Sequence, residues 1–321
     1  MSNSDLSRRR FLGMTATTLV ATATAALPHA ALGKASADAR AAGTLRLGGD
    51  LTIARLGYGA MRITGEGIWG EPADARACRA VLRRALDLGV NFIDTADSYG
   101  PNVSERLIAE ALHPYPKGLV IATKGGFTRS GPDRWSADCR PEALRAACEG
   151  SLKRLKVERI DLYQLHIPDQ KVPYEDSIGE LAKLRQEGKI RHVGISNVKP
   201  EHLEKARAIV PVVSVQNRYN VSDRGADEVL AACEREGIVF ITWAPLGKSG
   251  RVSTPVIGAR AKLDEVARER GLSPHRAQIA WLLSRSKVIV PIPGTSKIEH
   301  LEDNVSAAAL RFTPVEMQRI G

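Results

Sequence analysis

A chain of 321 residues, 43% hydrophobic and 26% charged, has the make-up of a soluble folded protein with a large core and lacks the skew of disordered or collagen-like sequences. The formal charge of +10 is not gathered in one stretch: basic residues stand beside acids, as in Glu234-Arg235-Glu236 and from Glu265 to Arg270, a pattern of solvated helix faces that gives no support for nucleic-acid binding. Cys78, Cys139, Cys148 and Cys233 form no C-x-x-C pair and have no histidine at zinc-ligand spacing, so no metal is expected and buried thiols are the ordinary reading.

Ser7-Arg8-Arg9-Arg10-Phe11-Leu12 is a twin-arginine pattern, an Ala/Thr-rich, weakly apolar stretch runs from Met14 to Leu27, and Ala35-Ser36-Ala37 supplies an A-x-A cleavage site. The apolar stretch is too short and too polar for a stable membrane anchor. Residues 1–37 therefore read as a cleavable twin-arginine signal peptide, and 38–321 as the mature domain. The precursor would use the twin-arginine export machinery, which carries folded chains, and the mature protein would be periplasmic. A disordered basic tail is the competing reading; the order of basic region, apolar region and cleavage site favours the leader.

Thr44 to Ala54, centred on Gly48-Gly49-Asp50, reads as a hairpin. From Leu56 onward short apolar runs alternate with amphipathic stretches and no linker intervenes. The strand candidates are Leu56 to Met61, Asn91 to Thr95, Leu119 to Thr123, Ile160 to Leu165, His192 to Ile195, Val212 to Gln216, Val239 to Trp243 and Val288 to Ile292. Helical patterns occupy Ala75 to Leu88, Glu105 to Leu112, Pro141 to Leu155, Ser177 to Glu187, Pro200 to Ile209, Asp227 to Glu236 and Ile298 to Ala307, with an additional helical pair from Leu263 to Ser286. Gly89, Gly188 and Gly237 stand just past helix ends, and Pro141, Pro200 and Pro274 near helix starts. Eight strands in one α/β domain predict a (β/α)8 TIM barrel, whose bottom the hairpin could close. A doubly wound open sheet is the rival; it would carry a G-x-G-x-x-G turn opening a helix, and none is present.

In a barrel, chemistry belongs at the carboxyl ends of the strands, and Asp94, Tyr99, Lys124 and His166 fall there. Singly, each has a plain structural explanation: a helix-capping Asp, a loop tyrosine, a core histidine satisfied by backbone. A lysine buried near an aspartate suggests a pair, because an isolated buried charge is costly. Together the four make an acid site in which the ammonium favours phenolate and brings the tyrosine closer to neutral pH.

The segments Asn91-Phe92-Ile93-Asp94-Thr95-Ala96-Asp97-Ser98-Tyr99-Gly100, Ala122-Thr123-Lys124 and Leu165-His166 resemble the signatures of aldo/keto reductases. The resemblance continues in order through Gly194-Ile195-Ser196-Asn197, Val215-Gln216-Asn217-Arg218-Tyr219-Asn220, Ala244-Pro245-Leu246-Gly247 and Pro291-Ile292-Pro293-Gly294-Thr295-Ser296, covering nearly all of the mature chain. Leu56-Gly57-Tyr58-Gly59-Ala60-Met61-Arg62 and Gly294 to Leu301 look most like bacterial pyridoxal reductases and their relatives. The resemblance implies hydride transfer from a nicotinamide cofactor to an aldehyde or ketone. Tyr99 would be the general acid, tuned by Lys124 and Asp94, with His166 orienting the carbonyl. Ser196, Asn197 and Gln216 would hold the nicotinamide amide and Trp243 would stack on its ring, although capping, backbone satisfaction and core packing also explain these four. By the same resemblance Ala244, Pro245, Leu246 and Gly247 would belong to the cofactor wall, Gly294, Thr295 and Ser296 to a phosphate site, and Asn304 would meet the adenine. Lys297 and His300 are the candidates for a 2′-phosphate, which favours NADP(H) over NAD(H). Arg62, Trp69, Trp135 and Arg251 fall in loops that would line the substrate pocket. Two alternatives stay open: a nucleotide-binding sensor or partner subunit on the same fold, and an alcohol dehydrogenase running in the oxidation direction.

Overall fold

The computed structural model describes residues 37–247 and 257–321. The leader assigned to residues 1–37 lies, Ala37 apart, outside the described residues, and so does Arg251.

After a 3-10 turn at Ala39–Ala42, β1 (Thr44–Leu47) and β2 (Leu51–Ala54) pair antiparallel. Gly48 and Gly49 make the turn at φ of 61° and 82°, where glycine has no steric cost, and a Cβ on Gly48 would strike the His192 ring. Next come β3 (Tyr58–Gly59), helix α1 (Ala75–Asp87), β4 (Phe92–Asp94), α2 (Val103–Leu112) and β5 (Val120–Gly125). A second hairpin, β6 (Phe127–Gly131) with β7 (Arg134–Ala137), precedes α3 (Pro141–Leu155), β8 (Ile160–Leu165), α4 (Tyr174–Gln186), β9 (Ile190–Ser196), α5 (Pro200–Ile209), β10 (Val212–Arg218), α6 (Asp227–Glu236) and β11 (Val239–Trp243). The chain ends with α7 (Ala259–Glu269), α8 (Pro274–Arg285), β12 (Ile289–Pro291), α9 (Ile298–Ser306) and α10 (Pro314–Ile320).

Eight parallel strands stand in the order β3-β4-β5-β8-β9-β10-β11-β12. The seam between first and last is made by the Gly57 N–H to the Pro291 carbonyl at 3.0 Å and the Gly59 N–H to the Pro293 carbonyl at 3.4 Å. A Cβ on Gly59 would lie 2.6 Å from the Ile292 oxygen and one on Gly294 would lie 2.5 Å from the Gly59 oxygen, so this closure requires glycine on both sides. The doubly wound alternative is thereby excluded. One expectation is corrected: the helical pair is not wholly additional, because α8 packs on β12 as the crossover helix into it while α7 lies outside against α8 and α10. Neither the β6/β7 hairpin nor α10, with its Thr313/Glu316 capping box, was anticipated.

Inside the barrel Phe92, Val120, Ala122, Leu162, Val239, Ile241 and Val290 pack with Leu47 and Ile53 of the first hairpin, which closes the amino-terminal end. The hairpin is anchored there by polar contacts. The Ala54 N–H donates to Asn91 Oδ1 at 2.7 Å, and Asp50 meets His192 Nε2 at 2.6 Å and Arg191 Nη2 at 2.7 Å. All four cysteines are buried and unpaired. No helix among the described residues is long and apolar enough to cross a membrane.

Candidate active site

At the other end of the barrel the strand termini open on a cleft of ≈ 880 Å³. Strand alternation turns Lys124 on β5 inward, where its side chain is fully buried. Its ammonium donates to Asp94 Oδ2 at 2.6 Å, to the Thr95 carbonyl at 2.9 Å and to the Tyr99 hydroxyl at 3.5 Å. The other Asp94 oxygen accepts from Gln216 Nε2 at 2.7 Å and Gln164 Nε2 at 3.0 Å. Five polar side chains thus form one connected cluster. Tyr99, His166 and Asp94 reach the cleft, while Lys124 lies just behind it.

The electrostatics differ from the sequence expectation in one respect. Burial raises the Tyr99 pKa above its ordinary value of 10; Lys124 pulls it down but does not prevail, with Asp94 also pushing it up. The phenol therefore keeps its proton at neutral pH instead of approaching it as a titrating group. Burial works against the Lys124 ammonium, yet Asp94 and Tyr99 beside it hold its pKa above the usual value. Burial and then Lys124 push His166 well below the ordinary imidazole range, so the ring is neutral. Its Nδ1 lies 3.5 Å from Ser98 Oγ, and its ring makes T-shaped contacts with those of Tyr99 and Phe127.

One wall of the same cleft carries Ser196, Asn197, Gln216 and Trp243, followed by Ala244, Pro245 and Leu246. Asn197 is the hub: its Nδ2 donates to the His166 carbonyl at 2.9 Å and to Ser196 Oγ at 3.2 Å, and its Oδ1 accepts from Trp243 Nε1 at 3.0 Å. Asn197 and Ala244 have φ of 58° and 49°, left-handed conformations that Ala rarely adopts and that packing must hold. The Arg218 guanidinium stands 5.3 Å from the centre of the Trp243 ring and is paired to Asp223 at 2.7 Å.

Gly294 lines the cleft, but Gly247, Thr295, Ser296, Lys297, His300 and Asn304 lie beyond its lining. The Thr295 carbonyl is held by the Tyr58 hydroxyl at 2.5 Å, and α9 starts without a side-chain cap, with Lys297 and His300 exposed beside it. These groups can take an anion extending out of the cleft, since first-turn N–H groups have no partner within a helix.

Of the substrate-pocket candidates, Arg62 and Trp135 line the cleft and Trp69 does not. The Trp69 backbone bridges Gly100, and its ring stands 5.9 Å from the Arg129 guanidinium. Sequence reasoning missed Gln164, Phe127, Glu66 and Asp133. The last three come from the loop before α1 and from the β6/β7 hairpin, whose signal is the Gly131-Pro132-Asp133 turn between alternating residues.

Compared with known proteins, residues 55–321 match the aldo/keto reductase family. The chain belongs to the aldo/keto reductase family, whose members are oxidoreductases. An uncharacterised oxidoreductase of Schizosaccharomyces pombe is 49% identical over 276 residues, spanning 86% of this chain and 88% of the relative. A pyridoxine 4-dehydrogenase of Escherichia coli K12 is 39% identical over 271 residues, 83% of this chain and 93% of the relative. An aldo-keto reductase from Klebsiella pneumoniae, solved in complex with NADPH, has the same fold, with a TM-score of 0.72 at 24% identity over 86% of this chain and 93% of that one. In this aldo/keto reductase, then, the buried Asp94–Lys124 pair and the Tyr99 hydroxyl stand at the barrel's open end.

Proposed function

We propose that this aldo/keto reductase reduces the carbonyl of an aldehyde or ketone to the alcohol, with NADPH as hydride donor and Tyr99 as proton donor. The observation that carries the proposal is the Tyr99 hydroxyl at the cleft surface, 3.5 Å from an ammonium that is itself buried and paired to Asp94. Bound NADPH would supply the hydride and end as NADP+. The rest falls to the chain. Tyr99, protonated at neutral pH, gives its proton to the substrate oxygen as negative charge grows there, and Lys124 stabilises the phenolate left behind. Neutral His166 orients that oxygen by a hydrogen bond without competing as an acid. The Gln216 N–H is committed to Asp94, which leaves its carbonyl end, with Ser196 and Asn197, for the nicotinamide amide. Trp243, fixed through its indole N–H, offers a stacking surface. The exposed Lys297 and His300 at the start of α9 support NADP(H) over NAD(H), in keeping with the NADPH held by the Klebsiella relative. The pyridoxine dehydrogenase relative supports a second reading in which the same groups run in the oxidation direction.

The test is Tyr99→Phe with 4-nitrobenzaldehyde: kcat should fall by about 10²- to 10⁴-fold with NADPH affinity nearly unchanged. A fully active Phe variant overturns the assignment. We also propose that residues 1–37 export the folded enzyme to the periplasm by the twin-arginine route, on the strength of Arg8-Arg9 and Ala35-Ser36-Ala37. Arg8→Lys with Arg9→Lys should leave the precursor in the cytoplasm; mature enzyme still reaching the periplasm would refute that route.

A further inference from the structure

We infer that Arg129, on β6, is a positioning residue that fixes the aromatic roof of the cleft and thereby sets its preference for ring-bearing over short aliphatic carbonyl compounds. The inference rests on the reductase reading above. All five N–H groups of the guanidinium are used on backbone carbonyls. Nε donates to Arg134 at 3.0 Å, Nη1 to Ile68 at 2.8 Å and Ser98 at 3.1 Å, and Nη2 to Gly67 at 2.8 Å and Gly131 at 3.2 Å. These carbonyls belong to three separate segments: the hairpin itself, the loop at 65–70, and the turn immediately before Tyr99. One side chain therefore ties the roof to the segment that carries the acid.

The same guanidinium lies 3.6 Å from the centre of the Trp135 ring and 5.9 Å from that of Trp69. Trp135 in turn packs edge-on against Tyr99, Phe127 and His166, with centroids 6.4, 5.4 and 6.4 Å apart. The loop that Arg129 holds contains Gly67 and Ile68 at φ of 62° and 55°, and a β-branched residue stays in that conformation only when its surroundings hold it. A lysine cannot replace this fork, having three donors and no plane to lay on an indole. Without it the loop relaxes, Trp135 loses its support, and the surface against which a flat ring would pack is lost. A short aliphatic aldehyde, which reaches only Tyr99 and His166, does not need that surface.

The test compares wild type with Arg129→Lys and Arg129→Met, using 4-nitrobenzaldehyde and propionaldehyde with NADPH. Both variants should raise KM for the aromatic aldehyde at least tenfold with little change in kcat, and change kcat/KM for propionaldehyde less than threefold. Amide exchange at Gly70 and Asp133, whose N–H groups bind the Gly100 and Gly67 carbonyls, should quicken in both variants. Equal losses for the two aldehydes, a loss confined to kcat, or full rescue by lysine would overturn the inference. A wild-type protein that reduces neither aldehyde overturns the reductase reading and the substrate preference with it; exchange then still decides whether Arg129 holds the loop.

Discussion

Replacing Lys124 by methionine keeps most of the side chain's length and volume and removes its charge and its N–H donors, in a place fully shielded from water. Asp94 then loses the ammonium 2.6 Å away and keeps two amide donors, Gln216 at 2.7 Å and Gln164 at 3.0 Å, both on its other oxygen. Breaking a buried ion pair from one side costs about 3–5 kcal/mol, and the surviving donors place this case near the lower end, about 3 kcal/mol. For a domain of this size, whose unfolding entropy is about 0.6 kcal/mol/K, that corresponds to a fall in melting temperature of roughly 5 °C. Adding Asp94→Asn removes the stranded charge, so the double variant should recover most of the lost stability. Activity should not recover, because Lys124 is the main influence lowering the Tyr99 pKa and the phenolate would have no cation beside it. Thermal melts and steady-state rates on the two single variants and the double one separate these effects. A Lys124→Met protein that melts with the wild type, or a double variant no more stable than that single one, would refute the buried-pair reasoning.

Burial, and then the neighbouring Glu105, pushes the Asp97 carboxyl up to about 8, and its Oδ1 is buried with no hydrogen-bond partner. The folded state therefore holds a proton that the unfolded chain releases near about pH 4, and this group lowers stability as pH rises from about 4 to about 8, by up to about 1.4 kcal/mol per unit. Urea midpoints of Asp97→Asn should be much less sensitive to pH over that window; parallel curves for the two proteins would contradict the assignment. Lys297→Ala should weaken NADPH by about ten- to a hundredfold and leave NADH nearly unaffected, because a charge-assisted bond to a 2′-phosphate is worth about 1.5–3 kcal/mol. Fluorescence titration with both cofactors measures this, and equal losses would return Lys297 to the solvated surface.

Periodicity located the helices well: Pro141–Leu155, Pro200–Ile209 and Asp227–Glu236 begin and end where proline, glycine and the apolar stripe say they should. Lys124 and Asp94 were legible because a charge inside an apolar run needs a partner. What they do to Tyr99 was not, since the balance between burial and a nearby ammonium depends on depth, and depth is not written in spacing. Gln164 escaped for a similar reason: a neutral polar residue inside Tyr163-Gln164-Leu165 gives no sign of the carboxylate it faces across two strands. Trp69 shows the limit for loops. Its neighbourhood was anticipated, but which indole lines the cleft is decided by a hairpin some sixty residues later, which brings Trp135 there instead.

The first hairpin makes the barrel a vessel with a sealed floor. With Leu47 and Ile53 filling the amino-terminal end, anything that enters from the carboxyl end must leave by the same route. Two guests sharing a single doorway cannot come and go independently. The groups proposed for the nicotinamide, Asn197 and Gln216, sit against the catalytic cluster, whereas Trp135 and Asp133 stand on the outer hairpin. On the proposed assignment, a carbonyl compound seated beneath that hairpin would stand between the nicotinamide site and the opening, so the dinucleotide would bind first and leave last. The packed barrel interior, with the hairpin sealed beneath it, leaves the carboxyl end as the way in for both guests.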